Sequence, residues 1–410
     1  MANYRISHPT KVLRGRLPLP GSKSETNRLL ILRALYFPNL EIAGFSESRD
    51  SFILREILEN FQVQDQLDVK DAGTAMRFTC AFLAAQEKGE WILSGTDRMH
   101  QRPIGTLVKA LQSIGANIEY LQQDGYPPLR IKGAKLRGGE IEVSAVESSQ
   151  FISALMMIAP RLEKGLSIKF KGASVSAPYI YLTSNIMRSL GMEVYVLGDE
   201  LRVPQQSPTE TSKVYKIEPD WSAASYWFAA LALADEGELY LPGFKEHSLQ
   251  GDSVAASFFA PLGVEQFYIG SGIRLRKAEP TPSPTQINLL ANPDLAQSIA
   301  PAYAAKGVSI SLKGLQTLRL KETDRIMALE KELSKFGLNL TSQEDRLDIS
   351  GPFLNGEQEI DTYSDHRMAM GFLPLALLGP IIIKDIEVVQ KSYPQFWDHC
   401  RELGFVLEEV

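Results

Sequence analysis

The sequence predicts an α/β protein built from about six copies of a unit of roughly 70 residues. A helical pattern ends at a glycine and passes directly into a strand-like run five times, with the glycines 67 to 76 residues apart: Gly115, Gly191, Gly263, Gly337 and Gly404. The strand-like tripeptides LRI, LRV, IRL and LDI keep the same period and begin 72 to 74 residues apart, at Leu129, Leu201, Ile273 and Leu347. Two landmarks with one period favour a true repeat over the helix-then-strand order that is common in any α/β protein.

The helix ends of this unit follow from their glycines, because a glycine just after a helix adopts the left-handed cap conformation. The copy nearest the N-terminus is shorter than the others. Its segment ILREILENFQVQDQLDVKDAG has Phe61 where the other copies have glycine, and it reaches the next motif without room for the extra strands. We therefore expect one truncated unit there.

Length and composition bound the class of protein. A chain of 410 residues is expected to form roughly two to three domains. Apolar residues make up 44% and charged residues 22%, which is typical of a soluble globular protein. The first residues, MANYRISHPTKVLRG, lack the apolar run of a signal peptide, and no stretch approaches the roughly 20 apolar residues of a membrane span. A cytoplasmic protein that does not enter a membrane is expected.

Charge and cysteine usage narrow the function further. A net charge of −6 argues against a nucleic-acid partner, although it leaves room for a locally basic pocket. Cys80 and Cys400 form no CxxC pair, so neither a disulfide scaffold nor a zinc site is indicated. No spacing in the chain calls for a metal or an organic cofactor.

The stretch LPGSKSETNR predicts an unusual helix start. Ser22 and Glu25 fit the S-x-x-E capping box, which places Lys23 at the first helical position and Arg28 one and a half turns on. Cations at a helix start are mildly unfavourable, and an anion docked on the exposed amide groups reverses that sign. A Walker nucleotide loop does not fit, because five residues separate the glycines and Ser22 intervenes before the lysine.

Three more predicted helix starts carry cations. DAGTAMRF has Gly73 and Thr74 ahead of Arg77, and SDHRMAM has Asp365 as a predicted N-cap ahead of His366 and Arg367. LKETDR places Lys321 and Arg325 around a helix start, with Glu322 between them. Alone, this last motif is typical of a solvated turn with an ion pair between Glu322 and Arg325. Together, the starts favour helix N-termini that converge on a polyanionic small molecule.

Two serine-rich segments add polar groups at helix starts. VESSQF has Ser148, Ser149 and Gln150 ahead of an apolar helix, and SVSAPYI has Ser174 and Ser176 just before a proline. Serines in such places are ordinarily caps. Adjacent hydroxyl and amide groups are also suited to hold a phosphate.

The ordered motifs LPGSKSETNR, DAGTAMR, RMHQRPIG, ESSQF, SAPYI, LKETDR, SDHRMAM and KSYPQFW resemble the enolpyruvyl transferase family. The resemblance runs from Leu17 to Phe396. It implies an inside-out α/β barrel of two domains, each with three βαβαββ units around buried helices. The chain crossings are then expected near Pro20 and Pro219, so that one domain comprises residues 1–19 and 219–410 and the other residues 20–218.

The activity implied by the resemblance is transfer of the enolpyruvyl group of phosphoenolpyruvate to the 5-hydroxyl of shikimate 3-phosphate, with release of phosphate. Each substrate carries a phosphate and a carboxylate, and such charges repel strongly at short range. The basic helix starts are then explained as charge compensation for two anionic substrates. Because the site is implied within one chain, a monomer is expected.

The binding residues implied by the resemblance form two overlapping sets. Those for phosphoenolpyruvate are Lys23, Gly73, Arg102, Gln150, Arg325, Arg367 and Lys391. Those for shikimate 3-phosphate are Lys23, Ser24, Arg28, Ser148, Ser149, Gln150, Ser176, Tyr179, Asp294 and Lys321. Arginine suits both anionic groups because its planar fork donates two parallel hydrogen bonds.

An acid and a base are needed, because the methylene carbon of phosphoenolpyruvate gains a proton while the attacking hydroxyl loses one. The resemblance assigns Asp294 to the 5-hydroxyl and Glu322 to the methylene carbon, with Lys23 as a third candidate for proton transfer. From the residues alone, Asp294 after Pro293 is typical of a helix cap. A carboxylate among many cations is also expected to have a lowered pKa and to be a weak base.

Two positions depart from the family's usual pattern. Thr317 stands where the family often has Asn, so that any amide contact to the shikimate phosphate is lost or replaced by a hydroxyl. Phe78 stands where many members have Pro, so that the helix bearing Gly73 is expected to sit differently. The resemblance also implies inhibition by glyphosate, a phosphoenolpyruvate mimic that would use the space beside Gly73.

Two other functions stay open. One is the sister enzyme that acts on UDP-N-acetylglucosamine, which normally has a cysteine in a mobile loop and Lys-Asn in its opening motif. Here the loop motif DRMHQRPIG has no cysteine, and the opening motif has Lys23 and Ser24. The other is a non-catalytic, anion-binding repeat protein.

Overall fold

The computed structural model describes residues 2–144, 149–171, 177–208 and 214–410. In those ranges the helices are α1 (Lys23–Tyr36), α2 (Arg49–Asn60), α3 (Gly73–Ala84), α4 (Asp97–His100), α5 (Gly105–Ser113), α6 (Ser149–Ile158), α7 (Ala177–Ser189), α8 (Trp221–Leu233), α9 (Ala255–Phe259), α10 (Ala296–Ala305), α11 (Arg325–Ser334), α12 (His366–Phe372) and α13 (Phe396–Glu402).

The strands are β1 (Tyr4–Ser7), β2 (Val12–Arg16), β3 (Glu41–Ala43), β4 (Gln66–Asp68), β5 (Glu90–Ser94), β6 (Asn117–Tyr120), β7 (Leu129–Lys132), β8 (Gly139–Ser144), β9 (Leu166–Lys171), β10 (Tyr195–Leu197), β11 (Glu200–Val203), β12 (Val214–Lys216), β13 (Glu236–Pro242), β14 (Val264–Ile269), β15 (Gly272–Lys277), β16 (Gln286–Asn288), β17 (Ile310–Lys313), β18 (Asn339–Ser342), β19 (Arg346–Ser350), β20 (Glu359–Ile360), β21 (Ile381–Ile383) and β22 (Val406–Glu409). Short 3₁₀ helices over Pro293–Leu295, Gln316–Leu320 and Ile386–Lys391 also matter for the site.

The chain divides into two compact units. The N-terminal unit is Ser22–Ile217, and the C-terminal unit combines Met1–Gly21 with Glu218–Val410. Strands β1 and β2 belong to the second of these, because β1 pairs with β21 and β22 and β2 runs parallel to β13. The assignment of independent domains to residues 20–218 and to 1–19 with 219–410 stays a prediction.

The four-stranded sheets of the two units share one pattern of strand pairing. The C-terminal unit has the strand orders β20-β21-β1-β22, β14-β15-β13-β2 and β16-β17-β19-β18, and the N-terminal unit has β4-β5-β7-β6, β10-β11-β9-β8 and the short parallel pair β12-β3. Each four-stranded sheet in the described ranges joins one parallel pair to two antiparallel pairs. The predicted α/β class is confirmed, while the number of repeats stays a prediction.

The two sequence landmarks have the predicted conformations. The five helix-terminating glycines all have positive φ, between 78° at Gly337 and 106° at Gly115. The four strand-like tripeptides fall in β7, β11, β15 and β19, and each of these strands pairs on both sides within its sheet. Phe61, which replaces the glycine in the shorter copy, has φ −58° and ends α2 in right-handed geometry.

Buried helices form the centre of each unit. Helices α8, α10 and α12 pack on one another in the C-terminal unit, and α1, α3 and α6 do so in the N-terminal unit. Every residue of α8 except Ser222 is buried, and so is every residue of α3 except Thr74 and of α6 except Gln150. A helix that is apolar on all sides needs neighbours on all sides. Ser222, Thr74 and Gln150 are therefore the positions in these three helices that neighbouring elements do not fully cover.

A membrane-crossing helix requires roughly 20 apolar residues in succession. Within the described ranges, no helix is both long enough and apolar enough to cross a bilayer.

Close packing of α12 on α10 predicts the effect of a small substitution. A methyl group at Gly371 would overlap the backbone carbonyl oxygen of Gln297 on α10, whereas one at Gly379 meets no atom within 4 Å. We expect Gly371→Ala to destabilise the protein by about 1 to 3 kcal/mol, because overpacking forces the helices apart. Thermal unfolding measures the difference, with Gly379→Ala as the matched control. Equal melting temperatures for the two variants would contradict this account of the core.

Candidate active site

The C-terminal unit buries an arginine among three carboxylates. The side chain of Arg325 is only 2% exposed. Its Nη1 lies 2.8 Å from Oδ1 of Asp294, its Nη2 lies 2.8 Å from Oε2 of Glu322, and its Nε lies 2.7 Å from Oδ2 of Asp365. We call Arg325 and these three acids the Arg325 cluster. A buried guanidinium is stable only when its charge is paired and its N–H groups are hydrogen-bonded, and this cluster does both.

Local helix signals place two of these side chains. Asp324 caps α11 by accepting a hydrogen bond from the backbone N–H of Met327 (3.1 Å), so α11 begins at Arg325. Asp365 caps α12 by accepting from the N–H of Arg367 (2.9 Å), which confirms the predicted cap. The carboxylate of Asp365 therefore both caps α12 and forms an ion pair with Arg325.

The interpretation of Asp294 as a helix cap is wrong. The cap of the 3₁₀ helix Pro293–Leu295 is Asn292, which makes no side-chain cap hydrogen bond. Asp294 lies inside that turn, and its carboxylate contacts cations instead. Opposite charges that are close in space compete successfully with a local cap, and sequence spacing does not show them.

The interpretation of KETDR as a solvated turn is also wrong, although the predicted ion pair between Glu322 and Arg325 is present. The motif is held inward by the buried charge of Arg325. Lys321 Nζ lies 3.6 Å from Asp294 Oδ1, and Lys391 Nζ lies 3.4 Å from Glu322 Oε1.

Arg367 makes a second contact to Asp294. Its Nη2 lies 3.2 Å from Oδ2 of Asp294, and its Nη1 donates to the Asp294 carbonyl and to the hydroxyl of Tyr226, each at 3.2 Å. Of the site residues predicted in this unit, the structure thus brings together Asp294, Lys321, Glu322, Arg325, Arg367 and Lys391.

The charges of this group shift pKa values in opposite directions. Burial raises the pKa of Asp294, but Arg367, Lys321 and Arg325 outweigh burial and hold the pKa of this carboxyl well below its ordinary value. Burial lowers the pKa of Arg325, and Asp365, Glu322 and Asp294 more than reverse that effect. The predicted lowering of the Asp294 pKa is confirmed. Asp294 is thus an ionised acceptor.

In the N-terminal unit, α1 begins at Lys23 as predicted. Ser22 caps the helix, and its Oγ accepts from the N–H of Glu25 at 3.4 Å. Lys23 Nζ lies 3.0 Å from Oδ2 of Asp50, a carboxylate in the first turn of α2 with a side-chain exposure of 4%. A buried carboxylate therefore holds this lysine at the helix start.

Arg28 is buried and hydrogen-bonded within the unit. Its Nε donates to Thr183 Oγ1 (2.7 Å), its Nη2 to Ser153 Oγ (3.0 Å), and its Nη1 to the carbonyl of Ser24 (2.9 Å). Burial lowers its pKa to about 10. The predicted shikimate-side residues Ser24 and Tyr179 both lie at this arginine, since the Tyr179 carbonyl accepts from Nη2 at 3.4 Å.

Phe78 contacts the same guanidinium. The Arg28 Cζ atom lies 5.5 Å from the centre of the Phe78 ring, within the range of a cation–π interaction. Phe78 is fully buried in α3. The aromatic ring of Phe78 therefore helps to stabilise the buried charge of Arg28.

Gly73 begins α3, and its lack of a side chain leaves room for the guanidinium of Arg102. A Cβ atom at Gly73 would lie 2.6 to 2.8 Å from the guanidinium atoms of Arg102. Gln150 Nε2 donates to Thr74 Oγ1 at 3.2 Å, and Ser149 starts α6 one residue earlier. The structure thus brings Gly73, Thr74 and Gln150 to the starts of two packed helices.

Some predicted residues cannot be placed in this way. Ser148, Ser174 and Ser176 lie outside the described residues. Thr317 lies in the 3₁₀ helix Gln316–Leu320, and its hydroxyl oxygen is buried without a hydrogen-bond partner in the described part of the chain.

Sequence reasoning missed the anionic and polar partners of the predicted cations. Asp50, Ser153 and Thr183 are separated from their partners by 27, 125 and 155 residues. No local signal marks such contacts. Asp365 had a signal as a cap, but its pairing with Arg325 across 40 residues had none.

Across the described ranges, no group of three or more His, Cys, Asp and Glu side chains is arranged to hold a metal ion. Cys80 and Cys400 are buried free thiols, and burial raises the pKa of each.

Comparisons with known proteins agree with one another. The family model described as EPSP synthase (3-phosphoshikimate 1-carboxyvinyltransferase) matches residues 53–400. The 3-phosphoshikimate 1-carboxyvinyltransferase of Bacteroides fragilis strain YCH46 is 40% identical over 98% of both chains. That of Aliivibrio fischeri strain ATCC 700601 / ES114 is 35% identical over 97% of this chain and 98% of the relative. The solved EPSP synthase of Acinetobacter baumannii has the same fold, with a TM-score of 0.79 at 21% identity over 100% of both chains.

The burial of Arg325 predicts a large effect of a nearly isosteric substitution. Asp365→Asn keeps a side chain that caps α12 but removes one of the charges that neutralise Arg325. We expect a loss of about 3 kcal/mol, because breaking a buried ion pair leaves a buried charge. Thermal unfolding measures it. Asp398→Asn is the control, since Asp398 pairs with Arg401 at the surface, where such pairs contribute about 0 to 1 kcal/mol. Equal losses in both variants would contradict the prediction.

Proposed function

The chain belongs to the EPSP synthase (3-phosphoshikimate 1-carboxyvinyltransferase) family, and on this premise we propose how its residues carry out the reaction. The enolpyruvyl group passes from phosphoenolpyruvate to the 5-hydroxyl of shikimate 3-phosphate by addition and elimination, and phosphate leaves. The near full-length match to curated relatives of that name carries this proposal. The Arg325 cluster supports it together with the neighbouring Lys321, Arg367 and Lys391, because these residues bring carboxylates and cations together in one place.

The negative charges of the two substrates explain why many of the proposed binding residues are cations. Two phosphates and two carboxylates need cations, since their mutual repulsion in a site that excludes water is large. The residues proposed to bind phosphoenolpyruvate are Lys23, Gly73, Arg102, Gln150, Arg325, Arg367 and Lys391. Those proposed for shikimate 3-phosphate are Lys23, Ser24, Arg28, Ser148, Ser149, Gln150, Ser176, Tyr179, Asp294 and Lys321.

Arg28 and Arg325 are already hydrogen-bonded within the protein. Both are nearly fully buried, and their donors point at internal acceptors. We assign them a mainly electrostatic and orienting contribution, while Lys321, Lys391 and Arg367 keep the longer contacts of 3.2 to 3.6 Å that a substrate anion replaces more easily.

Proton transfer is assigned to two carboxylates. Asp294 accepts the proton of the 5-hydroxyl as its oxygen attacks the C2 carbon of phosphoenolpyruvate, and Glu322 delivers a proton to the methylene carbon. Lys23 is a third candidate for moving protons. Elimination then reverses the roles: the Glu322 carboxylate removes a proton from the methyl group as the C–O bond to phosphate breaks, and protonated Asp294 gives its proton to the departing phosphate.

The lowered pKa of Asp294 makes it a weak base before substrates bind. Substrate anions near Lys321 and Arg367 oppose the field of these cations and raise the pKa of Asp294 toward the value that base catalysis needs. The base is therefore activated by the substrates' own charge, which couples proton removal to the presence of both substrates.

The two other functions are set aside, because the matched family and the curated relatives carry the name of the transferase that acts on 3-phosphoshikimate. A monomeric state and a cytoplasmic location remain proposals that rest on the sequence alone.

The decisive experiment is an assay of phosphate released when both substrates are mixed with the protein. Release that requires both substrates supports the proposal, and no release overturns it.

We expect Asp294→Ala to lower kcat by about 10² to 10⁴, the usual range for a general base. The variant should still bind shikimate 3-phosphate in calorimetry, because the cations remain. Asp348→Ala on β19 is the surface control, and full turnover of Asp294→Ala would contradict the assignment.

The contact of Gly73 with Arg102 predicts a selective binding defect. In Gly73→Ala the new methyl group displaces the Arg102 guanidinium, so we expect KM for phosphoenolpyruvate to rise roughly tenfold, equivalent to about 1.4 kcal/mol. Inhibition by glyphosate should weaken as well. Gly356→Ala is the control, because a Cβ there meets only Gln358 Nε2 at 3.8 Å. Unchanged inhibition of Gly73→Ala would refute the packing argument.

A further inference from the structure

Three buried side chains form a hydrogen-bonded triad in the C-terminal unit. Trp227 Nε1 lies 3.1 Å from the hydroxyl oxygen of Tyr393, and that oxygen lies 2.6 Å from Nδ1 of His399. Trp227 and Tyr393 are fully buried, and His399 is 6% exposed. We call these residues the Tyr393 triad. They come from α8, from the loop after the 3₁₀ helix Ile386–Lys391, and from α13.

When His399 is neutral, one arrangement of protons gives both the indole proton of Trp227 and the phenol proton of Tyr393 an acceptor within the triad. The indole N–H of Trp227 is a donor only, so the Tyr393 oxygen must accept from it. The phenol O–H then donates to His399, so Nδ1 carries no proton and the ring proton lies on Nε2. Each of the two hydrogen bonds of the triad then joins a donor to an acceptor.

Protonation of His399 breaks this arrangement. Both ring nitrogens are then donors, and Nδ1–H points at an oxygen that already accepts from Trp227. The phenol proton of Tyr393 loses its acceptor inside a buried site, where an unsatisfied donor is destabilising. The triad is therefore intact only while His399 is neutral.

The triad lies at the end of the segment that carries Lys391. Tyr393 follows Lys391 by two residues, and its backbone N–H donates to the Val389 carbonyl at 2.8 Å. At the other end of the same 3₁₀ helix, Trp397 Nε1 donates to the Ile386 carbonyl at 2.9 Å. The segment is hydrogen-bonded at both ends to side chains of α13. Its Lys391 Nζ lies 3.4 Å from Oε1 of Glu322.

We propose that Tyr393 and His399 are positioning residues, which hold Lys391 for phosphoenolpyruvate through the Tyr393 triad and release it when His399 is protonated. This inference rests on the proposed role of Lys391. Neither residue touches a substrate; they act through the backbone of the segment between Ile386 and Tyr393.

The charged groups around the triad set the direction of the pH effect. Burial lowers the pKa of His399, while Glu402 and Asp398 on its own helix oppose that shift. Burial raises the pKa of Tyr393 well above its ordinary value, and Trp227, Cys400 and Glu402 are the other groups that affect it. Because the pKa of His399 is lowered, the triad persists at neutral pH and is lost as the pH falls below the ordinary imidazole range of about 6.5.

Variants of the triad test the proposal through KM for phosphoenolpyruvate as a function of pH. In the wild-type enzyme KM should rise at acid pH. Tyr393→Phe should raise KM about three- to tenfold at neutral pH, which is the effect of one hydrogen bond, with a smaller change in kcat. His399→Leu should do the same.

His399→Gln is the conservative rescue. Its amide oxygen accepts from Tyr393 but does not titrate, so KM should stay near the wild-type value at neutral pH and should no longer rise at acid pH. Tyr303→Phe is the matched control, because it removes a buried hydroxyl that donates to the Phe258 carbonyl at 2.6 Å. KM should not change in the control.

Nitrogen chemical shifts of labelled histidine give a readout that does not depend on activity. The signal that disappears in His399→Gln should report a neutral ring with its proton on Nε2 at pH 7. A proton on Nδ1, or an acid rise of KM that survives in His399→Gln, overturns the proposal.

Lys391→Ala separates this inference from the proposed function. A raised KM in Lys391→Ala with a wild-type KM in Tyr393→Phe overturns the positioning role alone. An unchanged KM in Lys391→Ala removes Lys391 from the proposed function and overturns the positioning role with it. If both variants raise KM, combining them should raise it no further than Lys391→Ala does, and a further increase counts against action through Lys391.

Discussion

The neutralisation of Arg325 is the interaction on which the C-terminal unit depends. A guanidinium that is 2% exposed must pair with acids, and Asp294, Glu322 and Asp365 reach it from three separate segments. Each pair fixes the position of one segment relative to α11. The carboxylates proposed for proton transfer are therefore placed by the need to neutralise a buried cation. Catalytic geometry and structural integrity share the same contacts here, so that neither is free to change alone.

The same pairing organises the cations before any substrate binds. Arg367, Lys321 and Lys391 each lie within 3.6 Å of a carboxylate oxygen of this cluster, so their side chains are already oriented. Preorganised charges lose little entropy and need little rearrangement when an anion arrives. In the proposed reaction, an arriving phosphate would compete with Asp294 and Glu322 for these cations. The two carboxylates would then lose part of the positive field that lowers their proton affinity, so that substrate binding would increase their basicity.

Local chemistry was predictable from the sequence, and distant pairing was not. The caps Ser22 and Asp365 and the left-handed glycines depend on neighbours within a few residues, so that spacing alone identifies them. Asp50, the partner of Lys23, is 27 residues away from it, and Asp365, a partner of Arg325, is 40 residues away. Only the fold brings these pairs together. For the same reason the local sequence around Asp294 is typical of a cap, although its carboxylate contacts cations from distant segments. The ordered motifs identified the family and indicated candidate binding residues. They did not show which acceptors inside the protein hydrogen-bond to those residues.

Buried Arg28 is held by an aromatic contact as well as by hydrogen bonds. Its Cζ atom lies 5.5 Å from the centre of the Phe78 ring. Part of the stabilisation of this buried charge therefore comes from a cation–π contact. Burial of Arg28 removes its hydration and lowers its pKa to about 10, and the aromatic contact together with four oxygen acceptors offsets part of that loss. The proposed role of Arg28 depends on where its charge lies, and these internal contacts fix that position before any substrate binds.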